Sequence, residues 1–122
     1  MSRTPDHLEL SDHERIRYSR HLRLKGIGPE GQLKLKNARV LLVGAGGLGA
    51  PVGMYLAAAG IGRLGVVDFD RVDETNLQRQ VLFISHDVGR SKAVTAARRL
   101  SDLNPLIEIT PHDLELTASN AL

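Results

Sequence analysis

Four glycines follow a short apolar run near the middle of the chain, and their spacing suits the binding of a phosphate group. Residues 44–49 read G-A-G-G-L-G. Gly44 permits a sharp turn out of a strand, and Gly49 allows the following helix to pack closely on the sheet. Gly46 and Gly47 leave the backbone open to a phosphate, which would lie against the free N–H groups and positive dipole of the helix N-terminus. The motif therefore predicts a nucleotide site.

A pair of aspartates supplies the second part of this nucleotide-binding pattern. Asp68 and Asp70 end an apolar run, and Asp68 follows Gly44 by 24 residues, close to the spacing of an acidic residue that holds a ribose hydroxyl. A Walker phosphate loop is excluded, because no Lys-Ser or Lys-Thr follows the last glycine. Two alternatives stay open: the glycine turn serves packing alone, and Asp70 only binds local backbone N–H groups.

Strand and helix patterns alternate around these motifs, as is typical of an α/β fold. A strand is predicted over residues 39–43, where the continuous apolar run of residues 40–43 indicates a parallel strand buried on both faces. Apolar residues then recur at helical spacing, and a second buried strand is predicted at residues 64–67. A helix over residues 88–103 and a short strand over residues 106–110 follow. We expect the first half of a Rossmann-like, doubly wound parallel sheet with a right-handed crossover.

The N-terminal part is predicted to hold one helix. Ser11 and Glu14 form a capping-box pattern, which predicts a helix over residues 12–24. Its apolar stripe is thin and its arginines are many, so this helix is expected to dock on the rest of the protein. A stretch rich in glycine and proline over residues 26–31 is predicted to break it.

These patterns divide the chain into three parts. Residues 1–10 are expected to be a flexible N-terminus, residues 11–38 the helix and a connector, and residues 39–122 the N-terminal portion of an ATP-binding Rossmann-like domain. Residues 116–122 have the pattern of a helix that begins, so the fold is expected to be incomplete at the end of this sequence. An incomplete sheet would leave an unpaired edge and an exposed apolar face, and we therefore expect low solubility or oligomerisation.

Composition excludes several other functions. The chain has 122 residues and 42% hydrophobic content, enough for one modest core. It has no cysteine, so disulfides and cysteine-bound zinc are excluded, and its five histidines lack ligand spacing, so we predict no metal site. No apolar stretch is long enough to span a membrane and no secretory signal is visible, so a cytoplasmic protein is expected. The N-terminal basic bias lacks any nucleic-acid motif, and we expect no nucleic-acid partner.

Five segments together resemble one family. They are R-Y-S-R-H at 17–21, G-A-G-G-L-G at 44–49, D-F-D at 68–70, T-N-L-Q-R-Q at 75–80 and G-R-S-K at 89–92. In this order and spacing they resemble the sulfur-carrier adenylyltransferases of molybdopterin and thiamine biosynthesis (the ThiF/MoeB type), relatives of ubiquitin-activating enzymes. The resemblance extends from about residue 11 to residue 115, and the combination is far more specific than any one motif.

The resemblance implies an enzyme that uses ATP and Mg²⁺ to adenylate the C-terminal glycine of a ubiquitin-fold sulfur carrier ending in Gly-Gly. Such enzymes release pyrophosphate and work as homodimers. Arg20 matches the arginine that enters the partner subunit's site, and with Arg79 and Lys92 it forms the implied catalytic set. Fixed cations suit this chemistry, because attack of a carboxylate on the α-phosphorus gathers negative charge. The positions implied to bind the nucleotide are Gly44, Gly46, Gly47, Gly49, Asp68, Asp70, Asn76, Arg79 and Lys92.

This sequence also departs from the family pattern. The strand ending in a magnesium-binding aspartate, expected beyond residue 122, the substrate-binding segment and the paired C-x-x-C zinc motifs are all absent from it. We therefore expect nucleotide affinity with little or no adenylation by this chain alone. One alternative is a non-catalytic nucleotide-binding remnant that docks on a partner through the helix around Arg20. A less favoured alternative, an NAD-dependent oxidoreductase, leaves Asn76, Arg79 and Lys92 unexplained, although Arg79 and Lys92 could also be surface residues.

Overall fold

The computed structural model describes residues 9–46 and 49–120. Three helices come first, followed by alternating strands and helices, and two short 3₁₀ turns lie between β2 and α5 at Glu74–Asn76 and Ser85–Asp87. The elements are α1 (Asp12–Arg17), α2 (Ser19–Leu22), α3 (Gly28–Asn37), β1 (Arg39–Val43), α4 (Gly49–Ala59), β2 (Arg63–Val67), α5 (Lys92–Leu103) and β3 (Glu108–His112).

The three strands form one parallel sheet in the order β1-β2-β3, with Arg63 of β2 opposite Arg39 and Glu108. Helices α4 and α5 cover one face of the sheet, where Leu64 and Val66 of β2 are buried in the core. The α/β fold and the Rossmann-like parallel sheet predicted from the sequence are confirmed. In the described part of the chain, no helix has both the length and the apolar character needed to cross a bilayer.

The other face of the sheet is open, and this corrects the prediction that residues 39–43 are buried on both sides. Leu41 is 52% exposed and Val43 is 60% exposed, because no described element packs on this face. A shallow groove of about 430 Å³ crosses it, with the Arg63–Glu108 ion pair (Nε to Oε2, 2.9 Å) at its wall. Among the described residues, no strand pairs with the outer edge of β1.

The predicted helix over residues 12–24 is two short helices, because the chain bends at Tyr18 (φ −100°, ψ 18°). The capping box is present: Glu14 N–H donates to Ser11 Oγ (3.2 Å), and Ser11 N–H donates to the Glu14 carboxylate (2.7 Å). The predicted break after this helix is present but shorter than residues 26–31, because α2 ends at Leu22 and the next helix begins at Gly28. Helix α3 begins there, because Gly28 takes a left-handed φ of 60° and Pro29 in the first turn needs no N–H partner.

Other boundaries move by a few residues. The helix predicted from residue 88 begins at Lys92, because Ser91 caps it: its Oγ accepts from Val94 N–H at 3.3 Å. The strand predicted at residues 106–110 lies at Glu108–His112. The described residues 116–120 form a turn and not the start of a helix. The predicted flexible N-terminus falls mostly on residues 1–8, and Gly47 and residues 121–122 also lie outside the described residues.

Buried hydrogen bonds hold the N-terminal helices against the rest of the protein. The thin apolar stripe of the first helix predicts such docking. Tyr18 Oη accepts from Asn104 Nδ2 (2.7 Å), which also donates to the Ala57 carbonyl (2.8 Å). Gln32, fully buried in α3, donates to the Ala59 carbonyl at 2.9 Å. Because Ala57 and Ala59 end α4, the N-terminal helices lie at the edge of the sheet where β2 begins.

Replacement of Tyr18 tests this docking. Tyr18→Phe leaves one buried N–H of Asn104 unpaired, so we expect the free energy of unfolding to fall by about 1–3 kcal/mol. Tyr55→Phe is the matched control, because Tyr55 is 80% exposed, and a change under about 0.5 kcal/mol is expected there. Urea unfolding measures both, and equal effects in the two variants would contradict the docking role.

The open sheet face is expected to drive self-association. Leu41→Glu places a charge on the exposed apolar face beside Arg39 and Arg63, and we expect it to shift the chain towards monomer in sedimentation velocity. Ile16→Glu is the control, since Ile16 is exposed on α1, away from the sheet. If Ile16→Glu increases the monomer fraction as much as Leu41→Glu does, the open sheet face is not the surface through which the chains associate.

Candidate nucleotide-binding site

The glycine turn lies where β1 ends and α4 begins. Gly44 has a φ of 91°, a region that L side chains rarely adopt, and its N–H donates to the Val67 carbonyl of β2 at 2.7 Å. A Cβ at Gly49 would lie 1.9 Å from the Gly44 carbonyl oxygen, so no side chain fits there without a backbone shift. Gly44 and Gly49 thus have the conformational roles that the motif predicts.

The carboxylate of Asp68 fixes the turn from the end of the neighbouring strand. Its Oδ2 accepts from the N–H of Ala45 at 2.8 Å, and its Oδ1 accepts from the N–H of Asp70 at 2.8 Å. Asp68 is half-buried, and each of its oxygens keeps a second lone pair. The side chain can therefore hold the turn and still accept a hydrogen bond from a ligand hydroxyl.

Asp70 is exposed, and its backbone, rather than its side chain, makes the hydrogen bonds that connect it to the rest of the site. Its carbonyl accepts from Lys92 N–H at 3.0 Å, which brings the start of α5 to the edge of the sheet that holds Asp68. Within residues 9–46 and 49–120, no backbone N–H donates to the Asp70 carboxylate. The alternative that this side chain only caps local backbone finds no support there.

Lys92 is the first residue of α5 and is only 6% exposed. The segment after Asp70 pairs with the segment before Lys92: Val72 N–H donates to the Arg90 carbonyl (2.9 Å), and Gly89 N–H donates to the Val72 carbonyl (2.8 Å). Within the described parts of the chain, no hydrogen bond or ion pair of the Lys92 ammonium is found. The side chain of Lys92 is largely covered, while its ammonium is not among the buried atoms of the described residues that lack a partner, so the ammonium is accessible to an anionic ligand. The surface alternative for Lys92 is wrong, because so little of the residue is exposed.

Asn76 ends the 3₁₀ turn after Asp73, and Arg79 lies in the turn that follows it. The Asn76 Oδ1 accepts from Asp73 N–H at 2.9 Å, which leaves the Asn76 amide nitrogen for other contacts. Arg79 is exposed and donates to the Thr75 carbonyl at 3.1 Å. Hydrogen bonds from the backbone and side chain of Thr75, together with the charge of Lys92, lower the pKa of Asp73 although slight burial opposes this. The turn is therefore anionic at neutral pH and lies within the electrostatic reach of Lys92.

Gln80 is a residue that the sequence reasoning missed, because it reads as loop surface beside Gln78 and Arg79. It is only 4% exposed, and its side chain packs on the glycine turn: a Cβ at Gly46 would lie 3.6 Å from Gln80 Nε2. Its Oε1 is buried without a partner among the described residues. Leu82 and Phe83, two apolar residues that follow Gln80 and lie in the core, were the sequence signal that this segment is buried.

Arg20 lies away from these residues. It is exposed on α2, next to His21, whose Nδ1 lies 2.9 Å from Gln32 Oε1. Because Gln32 donates to Ala59 at the end of α4, α2 sits at the edge where β2 begins, opposite the edge where Asp68 follows β2. The chain therefore does not bring Arg20 to its own glycine turn.

The residues at the carboxyl edge fit a phosphate-bearing nucleotide. Asp68 offers acceptor lone pairs, Gly46 lies bare at the start of α4, and Lys92 offers a shielded positive charge. The described residues hold no group of three or more His, Cys, Asp or Glu side chains that could bind a metal ion.

A glycine turn held by a strand-end carboxylate, with a buried lysine on the same edge of a parallel sheet, defines a nucleotide-binding α/β domain of the Rossmann type. A comparison with known protein families identifies the family to which this domain belongs. The chain belongs to the ThiF family, whose model matches residues 18–122, and the resemblance drawn from the motifs is confirmed.

Several curated proteins are similar to this chain. A probable adenylyltransferase/sulfurtransferase, MoeZ of Mycobacterium tuberculosis, is 58% identical over 113 residues, which cover 93% of this chain and 29% of that protein. The sulfur carrier protein adenylyltransferase of Thermus thermophilus is 55% identical and covers 87% of this chain and 39% of its own length. The chain thus spans less than half of the length of these relatives.

Solved structures agree on the fold. The E. coli tRNA N6-threonylcarbamoyladenosine dehydratase TcdA superimposes with a TM-score of 0.84 and 34% identity, over 90% of this chain and 45% of that one. The E. coli MccB structure with ATP superimposes with a TM-score of 0.74 and 39% identity, over 83% of this chain and 31% of that one.

Asp68→Asn tests the carboxylate that fixes the turn. An asparagine keeps only one acceptor oxygen, so its amide group must face the N–H of Ala45 or of Asp70. We expect the amide that loses its acceptor, that of Ala45 or of Asp70, to exchange with solvent roughly ten- to a hundredfold faster, since a hydrogen bond to a charged group contributes about 1.5–3 kcal/mol. Asp70→Asn is the matched control and should leave Ala45 unchanged. Equal exchange in both variants would show that Asp68 does not hold the turn.

Proposed function

We propose that this chain forms the ATP-binding part of an adenylyltransferase that activates the C-terminal glycine of a ubiquitin-fold sulfur carrier protein. The observation that carries the proposal is the grouping of Asp68, the glycine turn and the buried Lys92 on one edge of the sheet. The relative from Thermus thermophilus, which is a sulfur carrier protein adenylyltransferase, and the MccB structure with ATP support it.

In the proposed reaction, a carboxylate oxygen of the carrier's last glycine attacks the α-phosphorus of ATP. The bond from the α-phosphorus to the bridging oxygen breaks, pyrophosphate leaves, and an acyl-adenylate forms. Attack gathers negative charge around the α-phosphorus and the departing pyrophosphate. Positive groups fixed in advance at that place stabilise the transition state, and they act most strongly where water is excluded.

Different residues of this chain bind different parts of the nucleotide. Asp68 accepts from a ribose hydroxyl, and the Asn76 amide group donates to the nucleotide. The buried Lys92 holds a phosphate at the start of α5, while the exposed Arg79 reaches the phosphates from the neighbouring turn. Asp70 lies at the rim of the site. The bare backbone of the glycine turn, which comprises Gly44, Gly46, Gly47 and Gly49, holds phosphate at the start of α4.

Arg20 acts in a different subunit under this proposal. It is exposed at the edge of the sheet opposite its own glycine turn, so within one chain it has no part in the site. In a homodimer the same residue would enter the partner's site and add a positive charge near the phosphates. The docking of α2 through Gln32 and Ala59 keeps Arg20 on the surface for this contact.

Mg²⁺ is the usual counterion of ATP, and the described residues offer no cluster that could hold it alone. We therefore propose that this chain binds ATP but has little or no adenylation activity by itself. The complete activity belongs to a protein of the length of the relatives, of which this chain spans less than half.

ATP binding by this chain tests the proposal against the oxidoreductase alternative. Isothermal titration should give a clear signal with ATP and a weaker one or none with NAD. Lys92→Met should lower the affinity for ATP roughly tenfold or more, the size of one charge-assisted hydrogen bond, and should leave adenosine affinity unchanged. Lys34→Met is the control, because Lys34 is exposed on α3.

Two results would contradict this account. Tight binding of NAD without binding of ATP would favour the oxidoreductase. Robust ATP–pyrophosphate exchange by the purified chain would overturn the proposal that it lacks the groups needed for adenylation.

A further inference from the structure

An ion pair between a buried carboxylate, Asp87, and a partly exposed guanidinium, Arg99, lies next to the candidate site and takes no part in the roles described above. Asp87 is only 1% exposed, and Arg99 of α5 lies 3.1 Å from each of its carboxylate oxygens. The same carboxylate accepts from Ile84 N–H at 2.8 Å. Arg90 lies farther away, at 3.9 Å, and is largely exposed. The pair thus joins the middle of α5 to the 3₁₀ turn that precedes it.

Asp87 is held in its charged form. Burial alone would raise its pKa, but the N–H of Ile84 and the guanidinium of Arg99 outweigh burial, and the pKa lies below the ordinary value of 3.8. Arg99 depends on this one partner, because its Nε is buried without a hydrogen bond among the described residues. The neighbouring Arg98 is exposed, whereas Arg99 is only partly exposed.

Stability alone is a poor reason for such a pair. Two charges lose much hydration when they are buried, and an apolar pair of similar volume is often as stable or more stable. In several proteins, buried polar contacts select one conformation of the chain over others, and this role is tested separately in each protein. We therefore followed the hydrogen bonds that lead from this pair to the site.

A short chain of backbone hydrogen bonds connects the ion pair to Lys92. The Asp87 carbonyl accepts from Arg90 N–H at 2.9 Å, and the Arg90 carbonyl accepts from Val72 N–H at 2.9 Å. Gly89, with a left-handed φ of 86°, donates back to the Val72 carbonyl at 2.8 Å. The next contact is that of Lys92 N–H with the Asp70 carbonyl. Asp87 and Arg99 thus anchor the segment that places Lys92 beside Asp70.

We propose that Asp87 and Arg99 are positioning residues that fix the ammonium of Lys92 against the phosphates of the bound nucleotide. This inference rests on the proposed function, because it assigns Lys92 to phosphate binding. Loss of the pair frees the segment between Asp87 and Lys92, so the ammonium no longer stays where the phosphates bind. The nucleoside part, held by Asp68 on the other side of the site, does not depend on the pair.

The ratio of ATP affinity to adenosine affinity measures this positioning. In Asp87→Asn the ratio should fall roughly two- to thirtyfold, the size of effect expected for residues that act without touching the ligand. Arg99→Lys keeps the charge, but its shorter side chain does not place a nitrogen where Nη2 of Arg99 contacts both carboxylate oxygens, and it should give an intermediate ratio. Arg98→Lys is the matched control and should leave the ratio unchanged.

A double variant separates positioning from folding. Asp87→Asn with Arg99→Met removes both charges, keeps an acceptor for Ile84 N–H, and should recover stability relative to Asp87→Asn, since no buried charge is left unpaired. We expect its ATP-to-adenosine ratio to stay low. A ratio equal to that of the unaltered chain would overturn the positioning role. Failure of the unaltered chain to bind ATP would instead overturn the proposed function, and this inference with it.

Discussion

The hydrogen bonds of the Asp68 carboxylate are the contacts on which the candidate site depends. One oxygen holds the N–H of Ala45 in the glycine turn, and the other holds the N–H of Asp70 beyond the end of β2. The first bond adds to the backbone bond from Gly44 to Val67 in joining the ends of β1 and β2, and the second fixes the residues that follow β2. Because Asp70 in turn accepts from Lys92, the same carboxylate also sets where α5 begins relative to the turn. The Asp68 side chain thus contacts both the glycine turn and the segment whose backbone is bonded to Lys92.

The sequence could predict most of this edge, because its geometry follows from local rules. Gly44 needs a left-handed φ and Gly49 needs a bare Cα, and both requirements are visible as glycines at fixed spacing. Asp68 is recognisable because it ends a strand at the expected distance from the turn. The parallel arrangement of strands then brings these positions to one edge without further information, and the match to the ThiF family agrees with it.

Long-range contacts decided what the sequence could not predict. Gln80 reads as a surface residue, yet it is buried, because its side chain packs on the glycine turn, which lies more than thirty residues earlier in the sequence. Tyr18, where the predicted first helix is interrupted, accepts a hydrogen bond from Asn104, 86 residues away. Leu41 reads as core but is exposed, because β1 carries no layer on its second face among the described residues. The roles of the nucleotide-contacting side chains remain predictions that only binding experiments address.

The most direct test of the account is an amide ¹⁵N–¹H titration of the chain with ATP. The account predicts that the signals of Ala45, Asp70, Asn76 and Lys92 shift together and saturate with one affinity, because these residues share one edge of the sheet. Signals of α1–α3, including Arg20, should stay where they are in the monomer. Shifts confined to α1–α3, or no shifts at millimolar ATP, would contradict the central claim that the carboxyl edge of this sheet is a nucleotide site.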